Sequence, residues 1–215
     1  MRKGALGFIL TLLTLFLSHT SALTGTAAAA PAAPPVPSLL NDLRQGGYIL
    51  YIRHGEANVG EDAANLDFKD CSTQRNLSPD AKQKAAEWGA ALRRLQIPVA
   101  RPVLASPFCR TMETAALAFG QEQVQPDPFW VKVYRLSGKA GPAEQQATLA
   151  ELVTVLEKVP PAGTNQVIVA HSFPEGLGLG DIPNLGTVII KPNGPGKGYE
   201  IVGRVSPGDL QNLMK

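Results

Sequence analysis

Residues 48–58 read YILYIRHGEAN, an apolar run that passes directly into an arginine, a histidine and a glycine. Such a run predicts a buried β-strand that delivers polar side chains to the carboxyl edge of a sheet. Open α/β sheets bind their ligands at that edge. A histidine beside an arginine suits a phosphorylated nucleophile, because neutral imidazole can attack phosphorus while a guanidinium holds the phosphate oxygens. The alternative is a strand-end histidine that only hydrogen-bonds a loop.

Two further segments show the same pattern of an apolar strand that ends in polar residues. Residues 103–115, VLASPFCRTMETA, indicate a short strand, a turn and the start of a helix that carries Arg110. Residues 167–172, VIVAHS, indicate another strand, which ends in His171. Together with Arg53, His54 and Gly55, these segments resemble the histidine phosphatase superfamily, which includes phosphoglycerate mutases and acid phosphatases. The resemblance covers roughly residues 48–205, and three motifs in the right order make it more specific than one motif would.

The resemblance implies a phosphate pocket at these strand ends. In that pocket His54 is the nucleophile that becomes phosphohistidine, while Arg53, Arg110 and a protonated His171 surround the phosphate. Phosphoryl transfer depends chiefly on positioned positive charge and hydrogen-bond donors. The start of the helix that carries Arg110 would add backbone N–H groups and a favourable dipole. Taken singly, Arg110 could be an ordinary first-turn residue and His171 a core histidine.

Two polar residues after the first strand are candidates for substrate binding. Asn58 and Arg75 resemble positions of the superfamily where polar side chains border the phosphate or the substrate. Arg75 could equally be a solvated charge in the polar loop that begins at residue 56. The resemblance implies neither a metal nor another cofactor, and the cysteines and histidines fall at no recognisable metal-ligand spacing.

The general acid that protonates the leaving oxygen is where the chain departs from the superfamily pattern. The mutase branch has a glutamate after the helix that carries the second arginine, and the acid phosphatase branch has an aspartate directly after the second histidine. Here Ser172 follows His171. The remaining candidates are Glu175 and Asp181, in the glycine-rich segment after His171, and Glu56 beside the nucleophile. Glu175 is preferred, because a short connection keeps it near the phosphate.

The order of the predicted elements favours an α/β fold, namely a three-layer α/β/α sandwich with a mainly parallel central sheet and a carboxy-terminal β-hairpin. The predicted strands are residues 48–53, 102–105 and 166–170, followed by a hairpin of residues 186–191 and 199–205. Another strand is predicted over residues 123–133, irregular or at an edge of the sheet because Pro126 and Pro128 interrupt it. The predicted helices begin at Ser38, which caps the first of them, then cover residues 79–95, 108–119 and 143–156, and end with a short one after Ser206. In the helix over 143–156, the side chains predicted to face the core are Leu149, Leu152, Val153 and Leu156.

The amino-terminal residues have the composition of a targeting segment. Met1-Arg2-Lys3, an apolar run and a tract of small residues predict a secretory signal peptide over residues 1–30, although a retained anchor is the alternative. An Ala/Pro-rich linker over residues 31–37 and one domain over residues 38–215 follow. The expected location is therefore periplasmic or secreted, with no stable membrane insertion after cleavage.

Charge and cysteine content limit the classes of partner. Loss of Arg2 and Lys3 with the signal lowers the formal charge from +2 to zero, so a nucleic acid partner has no electrostatic support. Removal of His19 leaves His54 and His171 as the only histidines. Cys71 and Cys109 would meet an oxidising compartment, where they form either a disulfide or two partly buried thiols.

These observations predict an exported phosphomonoesterase that acts through phosphohistidine on small phosphorylated substrates or surface phosphosugars. The first alternative is a phosphate- or phosphosugar-binding module of the same fold that has lost the general acid. A phosphomutase is disfavoured, because export removes the protein from glycolytic substrates and no mutase-type glutamate is evident. The sequence makes no prediction of the oligomeric state.

Overall fold

A six-stranded mixed sheet forms the centre of the protein in the computed structural model, which describes residues 36–212. The predicted signal peptide and most of the predicted linker lie outside these residues. The order of the strands across the sheet is β3-β2-β4-β1-β5-β6. Their bounds are β1 Ile49–Arg53, β2 Val103–Ala105, β3 Val124–Pro126, β4 Gln166–Ala170, β5 Thr187–Pro192 and β6 Tyr199–Val205.

Strand direction brings the three motifs to one edge of the sheet. β4 runs parallel to both β1 and β2, and β2 runs parallel to β3. β5 is antiparallel to β1 and pairs with β6 as the predicted carboxy-terminal hairpin. Because β1, β2 and β4 are neighbours with the same direction, the residues that follow them meet at the carboxyl edge.

Helices cover both faces of the sheet. Their bounds are α1 Val36–Gln45, α2 Pro79–Arg94, α3 Cys109–Phe119, α4 Phe129–Arg135, α5 Pro142–Leu156 and α6 Pro207–Asn212. Alternate residues of β1 enter different cores, with Leu50 and Ile52 packed among α1, α2, α3 and α6 and Tyr51 packed among α4 and α5. The predicted three-layer α/β/α sandwich is therefore confirmed. None of the helices within residues 36–212 is long and apolar enough to cross a membrane.

The prediction of a strand over residues 123–133 is wrong for most of its length. Only Val124–Pro126 is a strand, and Phe129–Arg135 forms helix α4. The β-prone composition of this segment is overridden by packing, because Phe129, Trp130 and Val133 are buried at helical spacing. The ring of Trp130 lies 5.4 Å from that of Tyr51 in the sheet.

Two smaller predictions also need correction. Helix α1 begins at Val36, so Ser38 lies inside its first turn instead of capping it, and Val36 and Pro37 are helical instead of part of the linker. In α5 the predicted inward residue Val153 is 41% exposed, whereas Thr148 is buried. Leu152 and Leu156 do face the core as predicted.

Candidate active site

The ends of β1 and β4 and the start of helix α3 line one open cleft of about 390 Å³. Arg53 and His54 come from the end of β1, and His171 follows β4. The rings of the two histidines meet edge to face, with centroids 5.5 Å apart. The cleft is lined by Arg53, His54, Glu56, Ala57, Val59, Arg75, Arg110, Tyr134, Ser137, His171, Ser172 and Asn184. The structure thus brings together the four residues predicted to form the phosphate pocket.

The imidazole of His54 is held with one ring nitrogen committed to the backbone. Its Nδ1 lies 2.6 Å from the carbonyl oxygen of Gly55. A carbonyl oxygen only accepts hydrogen bonds, so Nδ1 carries the ring proton and Nε2 keeps its lone pair. The backbone is fixed as well, since the N–H of His54 donates to Ala170 and the N–H of Gly55 donates to Thr114 Oγ1.

The environment of His54 keeps the ring neutral. Burial lowers its pKa to about 3, and the nearby charges of Arg110 and Arg53 act in the same direction. Gly55 lets the backbone next to His54 pack closely on helix α2, because a Cβ on it would lie 3.1 Å from the Cβ of Ala81. A neutral imidazole with a free Nε2 is the form that can attack phosphorus.

His171 is also buried, and its ring is neutral in the free protein. Burial lowers its pKa well below the ordinary value, and the neighbouring His54 and Arg110 lower the pKa further. Its Nε2 lies 2.9 Å from the hydroxyl oxygen of Ser106. The ring of Phe108 packs edge to face against it at 4.8 Å.

A carboxylate that the sequence did not single out holds Arg110. Nη1 and Nη2 of Arg110 donate to the two oxygens of Asp62 at 2.9 and 3.2 Å. Asp62 also accepts the hydroxyl of Tyr134 at 2.9 Å and the backbone N–H of Arg75 at 2.8 Å. Burial alone would raise the pKa of Asp62, but hydrogen bonds from Arg75, Arg110 and Tyr134 outweigh it and lower the pKa.

This pairing leaves one edge of the Arg110 guanidinium for a ligand. A guanidinium has five N–H groups. Both N–H groups of Nη1 are used, by Asp62 and by the carbonyl of Arg75 at 3.3 Å, and Nη2 uses one on Asp62. The remaining N–H groups, on Nε and Nη2, lie on the same side and match the geometry of two phosphate oxygens. The ring of Phe108 stacks on the guanidinium, 4.3 Å from Cζ.

Arg53 has a buried donor that the protein does not satisfy. Its Nη1 donates to the carbonyl oxygen of Ile182 at 2.6 Å. Its Nε is enclosed and has no hydrogen-bond partner within residues 36–212. An unpaired buried donor is costly. Nη2 of Arg53 is neither enclosed nor bonded within residues 36–212, so it is the nitrogen available to a ligand.

A disulfide connects the loop of residues 56–77 to the start of helix α3. Of the two states that the sequence left open for Cys71 and Cys109, the structure contains the disulfide, with a Cα–Cα distance of 5.8 Å. Gln74 accepts the backbone N–H of Cys109 at 2.8 Å. The N–H of Thr111 also has a protein partner. The expected supply of free backbone donors at this helix start is therefore smaller than predicted.

Only some of the predicted substrate-binding residues and candidate acids line the cleft. Arg75 lines the cleft, but its guanidinium is partly engaged by the carbonyl oxygens of Asn58 and Ala57. Asn58 and Glu175 are exposed and do not line the cleft. Asp181 also lies outside the lining residues and accepts the hydroxyl of Ser172 at 2.7 Å. Glu56 is the one acidic residue among those that line the cleft.

Asp62, Ser106 and Tyr134 are the site residues that sequence reasoning missed. Ser106 stands inside the motif that carries Arg110 and could have been considered there. Asp62 is one of several acids in an aperiodic loop, and no sequence signal distinguishes it. Within residues 36–212 no group of three or more His, Cys, Asp or Glu side chains is placed to hold a metal ion.

Comparison with known proteins shows similarity at the level of structure. No protein-family model and no curated protein sequence matches the chain. The alpha-ribazole phosphatase from Shigella flexneri is 15% identical, with a TM-score of 0.52 over 74% of this chain and 96% of that chain. Phosphoserine phosphatase from Entamoeba histolytica, solved with 3-phosphoglyceric acid, is 17% identical, with a TM-score of 0.50 over 76% of this chain and 98% of that chain.

Both structures belong to the histidine phosphatase superfamily. In this chain the strand ends that carry Arg53, His54 and His171 meet at one edge of the sheet. The resemblance drawn from the three motifs is therefore confirmed for the fold. The chain has the fold of the histidine phosphatase superfamily.

Proposed function

We propose that the protein is a phosphomonoesterase that works through a phosphohistidine at His54. The observation that carries the proposal is the fixed, neutral imidazole of His54, whose Nδ1 is bound to Gly55 and whose Nε2 keeps its lone pair. Arg53 and Arg110 line the same cleft. A nucleophile and two guanidinium groups in one cleft are what transfer of a phosphoryl group requires.

The reaction proceeds in two balanced steps. Nε2 of His54 attacks phosphorus, the bond from phosphorus to the ester oxygen breaks, and the leaving oxygen takes a proton from an acid or from water. A water molecule then attacks the phosphohistidine and loses a proton. This second step breaks the bond between phosphorus and Nε2, releases inorganic phosphate and restores the imidazole lone pair.

The arginines supply the charge that both steps need. Nη2 of Arg53, which has no protein partner within residues 36–212 and is not enclosed, and the remaining edge of Arg110 can each donate to oxygens of the transferring group. Such donors stabilise the charge that develops on these oxygens in the transition state. Because Asp62 fixes the Arg110 guanidinium, little reorganisation is needed when the substrate binds.

The substrate class that fits is a small phosphomonoester. The cleft volume of about 390 Å³ is within the range of small-molecule pockets. Two proteins of similar fold are named as phosphatases of alpha-ribazole and of phosphoserine. Surface phosphosugars belong to the same chemical class, and they would be accessible if residues 1–30 act as a signal peptide. Periplasmic or secreted location is part of this proposal.

A phosphate-binding module is the second candidate, and one observation favours it. Glu56 is the only acid among the cleft-lining residues within the described part of the chain, and it is exposed. A site without a positioned acid would bind phosphate and turn over slowly. Turnover therefore separates the two candidates.

The test uses the purified full chain with a generic aryl phosphate and no added metal. We expect turnover, and we expect labelled substrate to leave a phosphoryl group on the protein in rapid-quench experiments. His54→Ala should abolish both. Tight phosphate binding without turnover or labelling would support the binding module instead, and full labelling of His54→Ala would refute the nucleophile assignment.

Export is tested separately. If the signal peptide is processed, mass spectrometry of the protein from its native host should find an amino terminus between about residue 23 and residue 35. Detection of Met1 or Arg2 on that protein would contradict processing without affecting the proposed chemistry.

A further inference from the structure

Ser106 is a rigidly held hydroxyl next to the second histidine. It directly follows β2, and its backbone N–H donates to Val169 of β4 at 3.0 Å. Its carbonyl oxygen accepts the hydroxyl of Thr111 at 2.6 Å. The residue is 0% exposed. The backbone of Ser106 is therefore held at both polar groups, and its hydroxyl is shielded from solvent.

That neighbour is the ring of His171, with Nε2 at 2.9 Å from Oγ of Ser106. A neutral imidazole has one N–H donor and one acceptor nitrogen. Either Ser106 donates to Nε2, or Nε2 donates to Ser106. The distance alone does not decide between these directions.

The number of available protons decides the direction of the hydrogen bond between Ser106 and His171. Within residues 36–212 the hydroxyl of Ser106 has no hydrogen-bond partner other than Nε2 of His171. If Nε2 donated, the hydroxyl hydrogen would remain buried and unpaired, at a cost of about 1–3 kcal/mol. If Ser106 donates, its hydrogen is satisfied and the ring proton of His171 lies on Nδ1. The second arrangement is favoured.

Nδ1 of His171 is then the ring's only donor. It has no protein partner within residues 36–212 and is not among the enclosed polar atoms there, and His171 lines the cleft. The ring is kept in place by Phe108 and Tyr134, at centroid distances of 4.8 and 5.2 Å. The hydroxyl of Tyr51 donates to the backbone carbonyl of His171 at 2.7 Å.

We propose that Ser106 is a positioning residue that fixes the ring proton of His171 on Nδ1, from which His171 donates a hydrogen bond to an oxygen of the transferring phosphoryl group. The identity of this acceptor rests on the proposed function, whereas the position of the proton does not. With the proton on Nε2, a lone pair on Nδ1 would face the anion and repel it. Ser106 thus lets His171 act as a donor without becoming charged.

Nitrogen-15 NMR of the full chain with labelled histidine tests the proposal directly, because it shows which ring nitrogen carries the proton. The chain has three histidines, and the signals of His171 are assigned from their loss in His171→Asn. At pH 7 without ligand, we expect His171 to be protonated on Nδ1. In Ser106→Ala we expect a substantial population protonated on Nε2.

Two controls distinguish a shift of the His171 ring proton from a general loss of structure in Ser106→Ala. The signals of His54 report on folding in the same spectrum, since its Nδ1–H is held by Gly55 and should not change in Ser106→Ala. Ser172→Ala removes a hydroxyl adjacent to His171 in the chain that is bonded to Asp181 and not to the ring, so the proton of His171 should stay on Nδ1.

Protonation of His171 on Nε2 in the unchanged protein would overturn the proposal, even if Ser106→Ala does not fold. An unchanged His171 spectrum in a folded Ser106→Ala would also overturn it.

Phosphoenzyme formation in Ser106→Ala should be slower by on the order of 10-fold, less than the 10²–10³-fold expected when a donor is lost completely. A protein that never forms a phosphoenzyme would refute the proposed function and leave the NMR result as an independent test.

Discussion

Asp62 and Arg110 form a buried ion pair whose side chains are only 4% and 3% exposed. They lie 48 residues apart and join the loop over the cleft to helix α3. The carboxylate occupies the end of the guanidinium and leaves its Nε edge for the ligand. Asp62 therefore both neutralises Arg110 in the free protein and orients it.

Asp62→Asn should destabilise the protein and make it more responsive to phosphate. Loss of one partner of a buried ion pair costs about 3–5 kcal/mol, because the other charge remains buried and unpaired. A bound phosphate would compensate the charge of Arg110. We therefore expect the free energy of unfolding to fall, and the stabilisation by added phosphate to be larger than in the unchanged protein.

Chemical denaturation with and without phosphate measures both effects. Glu61→Gln is the matched control, since Glu61 is the adjacent acid and is exposed. It should change neither the free energy of unfolding nor the phosphate response. An equal phosphate response in Asp62→Asn and the unchanged protein would show that Arg110 is not a phosphate ligand.

Removal of the disulfide should loosen the loop that carries Asp62 and Arg75. Cys71 and Cys109 are separated by 38 residues, and closing a loop of that length stabilises a protein by about 4 kcal/mol. For Cys71→Ser/Cys109→Ser we expect a loss of that order and a higher KM, with a smaller change in kcat. Added reductant should reproduce these changes in the unchanged protein and have no effect on the double variant.

The parts of the fold that the sequence could predict are those with strong local patterns. The apolar runs before His54 and His171 mark β1 and β4. A serine before a Pro-Asp helix start is a typical cap, and Ser78 caps α2 by accepting the N–H of Ala81. Helix α4 could not be predicted in this way. Its composition favours a strand, whereas packing of Phe129, Trp130 and Val133 into the core beside the sheet favours the helix.

The site could be predicted where its residues lie in a motif at the end of a strand, which includes Arg110 at the start of helix α3. His54, Arg53 and His171 are placed by the strands that they end, and strand direction brings them together. Asp62 reaches Arg110 through the path of an aperiodic loop, which no periodicity specifies. The same holds for Tyr134, which contacts Asp62 from a helix that the sequence did not predict. Long-range geometry decides these contacts.

Stability should fall as the pH is lowered from about 6 to 5. Both histidines are neutral in the folded protein, since burial lowers the pKa of His54 to about 3 and that of His171 well below its ordinary value. In the unfolded chain they protonate near pH 6.5. The unfolded state thus binds more protons below that pH, and the free energy of unfolding falls by up to about 2.7 kcal/mol per pH unit.

Urea denaturation across this pH range measures how steeply the free energy of unfolding changes with pH. His54→Asn removes one of the two groups, so its slope should be about half that of the unchanged protein. Equal slopes in the two proteins would mean that His54 protonates normally in the folded state. The window stays above the range in which most carboxylates titrate, so their contribution to the slope is small.

The two histidines should respond differently to removal. His171→Ala should still form a phosphoenzyme, more slowly by about 10²–10³-fold, because one preorganised donor is lost. His54→Ala should form none. Rapid-quench labelling distinguishes these outcomes, and complete loss of labelling in a folded His171→Ala would mean that His171 does more than donate a hydrogen bond.

The structure favours Glu56 over Glu175 as the donor of the proton to the leaving oxygen. Glu56 lines the cleft beside the nucleophile, whereas Glu175 is exposed and lies outside the lining residues. Alkyl phosphates need a proton on the leaving oxygen, and aryl phosphates need it much less. Glu56→Gln should therefore slow turnover of an alkyl phosphate by about 10²-fold and largely spare an aryl phosphate.

Glu175→Gln provides the comparison on both substrates. Since its side chain is exposed away from the cleft, it should match the unchanged protein in kcat/KM for alkyl and aryl phosphates alike. Equal losses on both substrates in Glu56→Gln would mean that Glu56 shapes the cleft without donating a proton. Unchanged selectivity in both variants would exclude both residues and leave Asp181 or water as the proton donor to the leaving oxygen.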